Sequence, residues 1–300
     1  MRTVRGIENL SGKKVLLRVD FNVPVLRQGF GGQAGDNVTI QEDYKIRAHK
    51  ETINFLVRAG AKILLISHHS TDGFSFADII DQLEDILDLR ILFIKNLDQI
   101  EVLDKSESGT LVLMDNIRQY DGEEKNDPDF AKSLSTGFDV YVNDAFSVSH
   151  RAHTSVSAVT NLLPSYAGFL LEKETFQLSS VLNKPAQGKT LIIGGGKVGT
   201  KVPLVKNFID KAENILIGGA VANNFFKAKG LEIGKSIFNE NCIDELIPLL
   251  NNPALILPKD IVVSPDRIGK IEVNSLPVEI LMHLIIFWTL AQKLQKVSPI

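Results

Sequence analysis

The stretch YVNDAFSVSHRAHTS (141–155) places three potential cations, His150, Arg151 and His153, within four positions, just past an apolar run that reads as a strand. Such a cluster is either a solvated loop or the receiver of an anion. Polar residues fall in equivalent places elsewhere. Asp20, Phe21 and Asn22 follow VLLRV (15–19), His68 and His69 follow KILLIS (62–67), and Asp115, Asn116 and Arg118 follow TLVLM (110–114). Any one of these alone is ordinary loop content. Four strand ends delivering such groups favour a small-anion site, because ligands of open α/β sheets bind beyond the carboxyl ends of the strands. Arg118 and Arg151 suit a carboxylate or phosphate, which a guanidinium fork can hold through two parallel bonds.

A second constellation lies in LIIGGGKVGTK (191–201). Gly194, Gly196 and Gly199 match G-x-G-x-x-G after a strand, but the next strand runs into Gly218-Gly219, where a dinucleotide-binding fold needs an acid for the ribose. Gly194, Gly199, Thr200 and Lys201 approximate a phosphate-binding loop, with Gly-Thr-Lys in place of Gly-Lys-Thr. Neither pattern is satisfied. What remains is a glycine turn permitting close backbone approach, plus Lys197 and Lys201, which share one face if helical. The two lysines are either a solvated pair or partners of nucleotide phosphates.

To bring these residues together the chain must supply strands that end side by side. Besides the runs named, ILFI (91–94) and DVYVN (139–143) read as strands, while 45–58, 76–87 and 127–135 carry helical spacing. Continuous apolar strands separated by helices mean a parallel sheet covered on both faces. The pattern restarts near Lys189 as strand, helix, strand, helix, strand, ending in PALILP (253–258), and GFLLEKETFQLSSVLNKP (168–185) reads as one long helix between the blocks. The expected fold is α/β: two doubly wound parallel-sheet, Rossmann-like domains joined by a helix. The segment RQGFGGQAGD (27–36) reads as a glycine-rich surface loop; a phosphate cradle there would need a helix directly after it.

Three hundred residues suit two domains, and 44% hydrophobic content can supply their cores. A net charge of −3 offers no global field for nucleic acid or an anionic membrane, so any anion site must be local. One cysteine, Cys242, excludes an internal disulfide and a cysteine-rich metal site. No apolar secretory segment opens the chain and no apolar run reaches membrane-spanning length. A cytoplasmic protein that binds neither nucleic acid nor membrane, and is monomeric, is the expectation.

With these stretches in view, the sequence resembles the phosphoglycerate kinase family. LLRVDFNVP (16–24), YVNDAF…HRAHTS (141–155), AGFLLEKE (167–174) and GGGKVGTK (194–201) are similar to that family's signatures, in order and with suitable spacing. DNIRQYDGEE (115–124) and IGGAVANNF (217–225) are weaker matches in register. The resemblance covers residues 1 to about 275. It implies reversible phosphoryl transfer from 1,3-bisphosphoglycerate to Mg-ADP, giving 3-phosphoglycerate and Mg-ATP. Residues 1–167 would form the glycerate-binding domain, 168–185 the interdomain helix and 186–277 a partial nucleotide-binding domain. By position, Asp20, Phe21 and Asn22 would bind the substrate's polar end, and His68, Arg118, His150 and Arg151 would form its basic patch. Lys197 and Lys201 would contact the transferred phosphoryl group and the nucleotide phosphates, with Gly195, Gly196, Gly218 and Gly219 lining the cleft. Magnesium would be held mainly through the nucleotide.

The sequence departs from that family in three places. The catalytic arginine falls on Lys45, which would take its role in catalysis and substrate binding with the charge but without the planar fork. The His-Leu-Gly-Arg stretch reads His68-His69-Ser70-Thr71, so a substrate arginine is replaced by Thr71. After EVNSLP (272–277) the resemblance stops. The later Asn-Gly-Pro and Gly-Gly-Asp segments of the family do not occur, and 278–300 reads as an aberrant apolar tail from a frame-shifted or prematurely ended gene. A second domain left incomplete in this way implies weak or no kinase activity, and the alternative is an inactive binding module that retains the 3-phosphoglycerate site. A nicotinamide-dependent oxidoreductase rests on Gly194, Gly196 and Gly199 alone.

Overall fold

A computed structural model describes residues 1–28, 37–264, 274–278 and 288–291. The glycine-rich segment from residue 29 to 36 and most of the tail after 278 lie outside them. By its internal contacts the chain divides into two compact units, Met1–Ser179 and Ser180–Ile300.

The first unit contains β1 (Lys14–Arg18), β2 (Val25–Gln28), β3 (Asn37–Ile40), α1 (Tyr44–Ala48), α2 (Lys50–Arg58), β4 (Lys62–Ile66), α3 (Ile80–Leu87), β5 (Ile91–Ile94), α4 (Glu101–Lys105), β6 (Leu111–Met114), α5 (Pro128–Ser135), β7 (Val140–Asn143), β8 (Ser165–Ala167) and the start of α6 (Phe169–Asn183). Six of the strands form one sheet in the order β5-β6-β4-β1-β7-β8, and every pairing is parallel. β2 and β3 form a separate antiparallel pair.

Period-two alternation explains why these apolar runs are strands rather than helices. Val15, Leu17, Ile63, Leu65, Leu111, Leu113, Val140 and Val142 enter one core, with Ile46, Ile53, Leu56 and Leu83 from the helices that cover it. Leu16, Leu64, Ile66, Val112, Met114 and Tyr141 face the other way, against Leu103 of α4 and Leu134 of α5. Both faces are thus dry, as a parallel sheet requires. α5 starts where the sequence allows: the Asp127 carboxylate accepts the Phe130 N–H at 2.8 Å and Pro128 occupies the first turn.

The helix expected over 45–58 is instead two, α1 and α2, separated at His49. From β1 the chain lays β4, β5 and β6 on one side, then β7 and β8 on the other. The carboxyl ends of β1 and β7 therefore flank a topological switch point.

The second unit holds β9 (Thr190–Ile193), α7 (Val198–Phe208), β10 (Asn214–Ile217), α8 (Gly219–Ala228), α9 (Ile243–Leu246), β11 (Leu255–Ile256), β12 (Asp260–Ser264), β13 (Asn274–Pro277) and β14 (Trp288–Ala291). β9, β10 and β11 are parallel in the order β11-β10-β9, so β9 is an edge strand, with Ile192 71% exposed. β13 and β14 pair antiparallel with β12. Residues 288–291 of the expected apolar tail are therefore the flanking strand of a small sheet. Val198, Val202, Val205, Val221, Phe225 and Ile261 share this unit's core.

Candidate functional site

β1 delivers Asp20 to the switch point, where the residue is only 5% exposed. Its Oδ2 accepts a bond from Lys45 Nζ at 3.3 Å and another from the Ser147 hydroxyl, and its Oδ1 accepts the Asn22 N–H at 3.0 Å. Burial alone would raise the pKa of this carboxyl, but the Ser147 hydroxyl, the Lys45 charge and the Asn22 amide outweigh it and hold the group below its ordinary value. Asp20 is thus an ionised acceptor. Lys45 Nζ also donates to the Asn22 carbonyl at 3.2 Å, and Asn22 Oδ1 accepts from both the N–H and the hydroxyl of Ser70. Beside them opens a cleft of about 220 Å³ lined by Asp20, Lys45, His49, Ser147, Leu170 and Glu174 among others.

Phe21 is expected as a substrate contact, and its ring is not what could provide one. Its side chain is fully buried and meets the rings of His49 and Phe76 edge-on, and its N–H donates to Ser67 Oγ at 2.9 Å. An aromatic ring seated in the core shapes the turn after β1 and offers nothing to a polar ligand.

His68, two residues past β4, lies on a buried polar network. Arg18, itself 1% exposed, donates from Nη2 to His68 Nδ1 at 3.1 Å and from Nε to Ser155 Oγ at 3.0 Å. Ser155 Oγ–H donates to Glu123 Oε1 at 2.6 Å and Ser155 N–H to Glu123 Oε2 at 2.9 Å. A guanidinium only donates, so His68 Nδ1 is an acceptor and the ring's proton sits on Nε2. Burial first, then the Arg18 charge, push the His68 pKa down to about 3, and Arg118 and Arg151 act in the same direction. His68 therefore enters the patch as a neutral N–H donor, not as one of its cations.

The HRAH cluster resolves in the same way. His153 Nδ1 lies 3.9 Å from Glu123 Oε1, and burial lowers its pKa although Glu123 and Glu124 pull it up. His150 is exposed and Arg151 half-buried, and among the described residues neither side chain has a hydrogen-bond or ion-pair partner. Of the three expected cations, Arg151 is the permanent one at hand. Arg118, on the turn after β6, has Nε 3.0 Å from Glu124 Oε1 without the alignment of a hydrogen bond, so that buried N–H is unsatisfied. Its cleft, about 720 Å³, is also lined by Thr71, Asp121 and Lys125. His69 does not stand in for the arginine that Thr71 replaces. Its Nε2 donates to the Val23 carbonyl at 2.9 Å, its Nδ1 accepts the Thr71 N–H at 3.2 Å, and its ring stacks on Phe74.

In the second unit the site is backbone. Gly195 has φ +107° and Gly219 φ +59°, both in the region that glycine alone enters readily. A Cβ on Gly219 would stand 2.8 Å from the Gly195 nitrogen, and Gly218 N–H donates to the Ile193 carbonyl at 2.9 Å. The turns after β9 and β10 therefore touch through their main chains. α7, capped by Lys197, and α8, capped by Gly218, begin from these turns. Their first amides and helix dipoles favour phosphate. Lys197 is exposed and Lys201 half-buried in the first turn of α7, and neither ammonium has a partner among the described residues. This backbone cradle fits the phosphates of a nucleotide. No group of three or more His, Cys, Asp or Glu able to hold a metal occurs among the described residues.

Inspection of strand ends alone misses four participants. Arg18 carried a signal, a charge inside an apolar strand. Glu123, Ser147 and His49 carried none, since each acquires its meaning from a residue distant in sequence.

A family model described as phosphoglycerate kinase matches residues 4–280. The phosphoglycerate kinase of Coprothermobacter proteolyticus is 37% identical over 290 residues, 92% of this chain and 71% of that protein. That of Geobacter sp. (strain M21) is 40% identical over 254 residues, 81% of this chain and 61% of that one. Among solved structures, the phosphoglycerate kinase from Coxiella burnetii matches with a TM-score of 0.74 at 28% identity, covering 96% of this chain and 73% of that one. The enzyme from Pyrococcus horikoshii has a TM-score of 0.81 at 24% identity and supports the fold alone.

Proposed function

The chain belongs to the phosphoglycerate kinase family, and from that premise we propose that it moves a phosphoryl group reversibly between 1,3-bisphosphoglycerate and ADP, yielding 3-phosphoglycerate and ATP. The observation that carries this reading is the convergence of Asp20, Lys45, His68, Arg118 and Arg151 at the carboxyl edge of one parallel sheet. An acceptor carboxylate for the substrate hydroxyl, a neutral imidazole donor and two guanidinium groups match a phosphorylated hydroxy acid. Phosphoryl transfer needs alignment and charge neutralisation rather than a protein nucleophile, and nothing else is asked of these side chains. The glycine turns of the second unit, with Gly195, Gly196, Gly218, Gly219, Lys197 and Lys201, would receive the nucleotide, and magnesium would arrive on its phosphates. The protein would work as a cytoplasmic monomer; no helix among the described residues is long and apolar enough to cross a membrane.

A second reading, a glycerate-binding module that turns over slowly, is favoured by Lys45. Its ammonium is tied to Asp20 and the Asn22 carbonyl, and it lacks the fork that an arginine would offer to three equatorial oxygens. A coupled ATP-formation assay beside a calorimetric titration with 3-phosphoglycerate separates the two. Turnover supports the kinase, binding without turnover supports the module, and neither binding nor turnover removes both.

A further inference from the structure

His49 is buried to 1% exposure at the break between α1 and α2, and both its ring nitrogens are committed. Nε2 lies 3.0 Å from the Asp20 N–H, and Nδ1 lies 2.8 Å from Asp144 Oδ2. A backbone N–H can only donate, so Nε2 is unprotonated and the ring's proton sits on Nδ1, aimed at Asp144. The other Asp144 oxygen, Oδ1, accepts the Leu170 N–H at 2.9 Å and lies 3.4 Å from the Leu171 nitrogen, in the first turn of α6. Thr52, one turn along α2, takes the Phe169 N–H at 2.9 Å. Gly168 closes the corner, since a Cβ there would stand 2.1 Å from Asp144 Oδ1. One uninterrupted line of hydrogen bonds thus runs from the main chain of Asp20, through an imidazole and a carboxylate, to the amides that start α6.

We propose that His49 is a positioning residue for the glycerate site, acting through the Asp20 main chain. The claim rests on the glycerate reading given above. Both His49 ring nitrogens are taken by protein groups, so it would offer a ligand in the cleft no polar atom of its own. It fixes the peptide that carries Asp20, and so the direction of a carboxylate held on its other side by Lys45 and Ser147. Through Asp144 it anchors that peptide to the α6 N-terminus, a rigid element rather than a loop. An imidazole is the one neutral side chain that accepts on one edge and donates on the other at this separation. The second-site partner of a ligand-binding group sets its orientation in the same manner as an outer-shell residue orients a metal ligand.

Two substitutions divide the ring's duties. In His49→Asn the amide NH₂ can reproduce the Nδ1 bond to Asp144 while the acceptor for Asp20 is lost. In His49→Gln the amide oxygen can reach the position of Nε2 and keep it. For folded proteins, 3-phosphoglycerate affinity should fall about tenfold in His49→Asn, the effect of one buried hydrogen bond, and less in His49→Gln, with ADP affinity unchanged in both. ¹⁵N spectra of wild-type imidazoles supply a readout that does not depend on mutant folding. Nε2 of His49 should show the shift of an unprotonated ring nitrogen and should move on titration with 3-phosphoglycerate. A folded His49→Asn protein with wild-type affinity, a protonated Nε2, or a resonance unmoved by saturating 3-phosphoglycerate overturns the proposal. A wild-type protein that binds no 3-phosphoglycerate at all brings down the glycerate reading itself, and this inference with it.

Discussion

Arg18 holds His68 by donating to its Nδ1 across 3.1 Å, at the carboxyl ends of β1 and β4, where both side chains are all but sealed from water. The consequence is a histidine at a proposed anion site that carries no charge and keeps its one N–H on Nε2.

Acid should therefore destabilise the first unit through this residue. The His68 pKa is depressed from 6.5 to about 3 in the folded chain. Between those values the unfolded chain binds the proton and the folded chain does not, so stability is lost as pH falls through 6.5 and continues to fall towards 3. The slope approaches about 1.4 kcal/mol per pH unit for one such group. Urea titrations of wild type and His68→Gln from pH 7 to 4 test this: the variant should lose less stability over the interval. Parallel curves would mean that His68 is not the titrating group.

Glu123 should matter more than its distance from the ligand clefts suggests. It is 0% exposed and, through Ser155, supplies the anion that faces buried Arg18; burial lowers the arginine's pKa and Glu123 opposes that. Glu123→Gln keeps the shape and removes the charge. Leaving a buried charge unpaired costs about 3–5 kcal/mol, and the chemical-denaturation midpoint should drop accordingly. A loss below about 1 kcal/mol, the scale of an exposed pair, would show that water reaches the guanidinium.

Arg151→Ala and Lys201→Ala should separate two ligands. The Arg151 side chain has no partner to lose among the described residues, so its removal should spare the fold while weakening 3-phosphoglycerate by about one to two orders of magnitude, the effect of one charge-assisted bond. Lys201→Ala should weaken ADP and leave 3-phosphoglycerate as it was. Calorimetry of each variant with each ligand gives the four numbers needed, and a crossed result would reassign the sites.

Gly219→Ala should abolish nucleotide binding while glycerate binding survives. The new methyl would sit 2.8 Å from the Gly195 nitrogen, in a residue whose φ of +59° already disfavours a side chain. The turns after β9 and β10 must separate to admit it, and the α8 amides move with them. An ADP affinity within twofold of wild type would show that the cradle is not where the nucleotide binds.

The parallel sheet was legible because dry strands leave apolar runs that nothing else in a soluble chain resembles. β8 escaped notice at three residues, and the β2–β3 pair lies under no strong alternation. The single helix expected over 45–58 splits because His49 is drawn towards Asp20 and Asp144, 29 residues before it and 95 after. Periodicity registers which face of a helix is apolar but not which distant group a polar side chain will find. The same blindness made His153 look like a cation, since the burial that lowers its pKa arises only once the chain has packed. Backbone sites such as the contact between Gly195 and Gly219 show only as permissive residues, and their chemistry appears once two turns are adjacent.

β1, the first strand of the sheet to be made, is also an inner one, paired with β4 on one side and β7 on the other. The register joins Val15 to Val140, and the Ala167 N–H donates to the Arg2 carbonyl. On a ribosome β1 and the residues before it therefore wait for the last two strands of this sheet. At roughly 5–20 residues per second, the ~125 residues between β1 and β7 take about 6–25 s to synthesise. Throughout that interval one edge of β1 is bare, an apolar template of the kind that recruits chaperones or neighbouring nascent chains. Arrested chains ending shortly before β7 should be protease-sensitive and chaperone-bound, and those with residue 167 outside the exit tunnel should be neither. A protected chain already at residue 120 would mean that β1, β4, β5 and β6 hold together without their later neighbours.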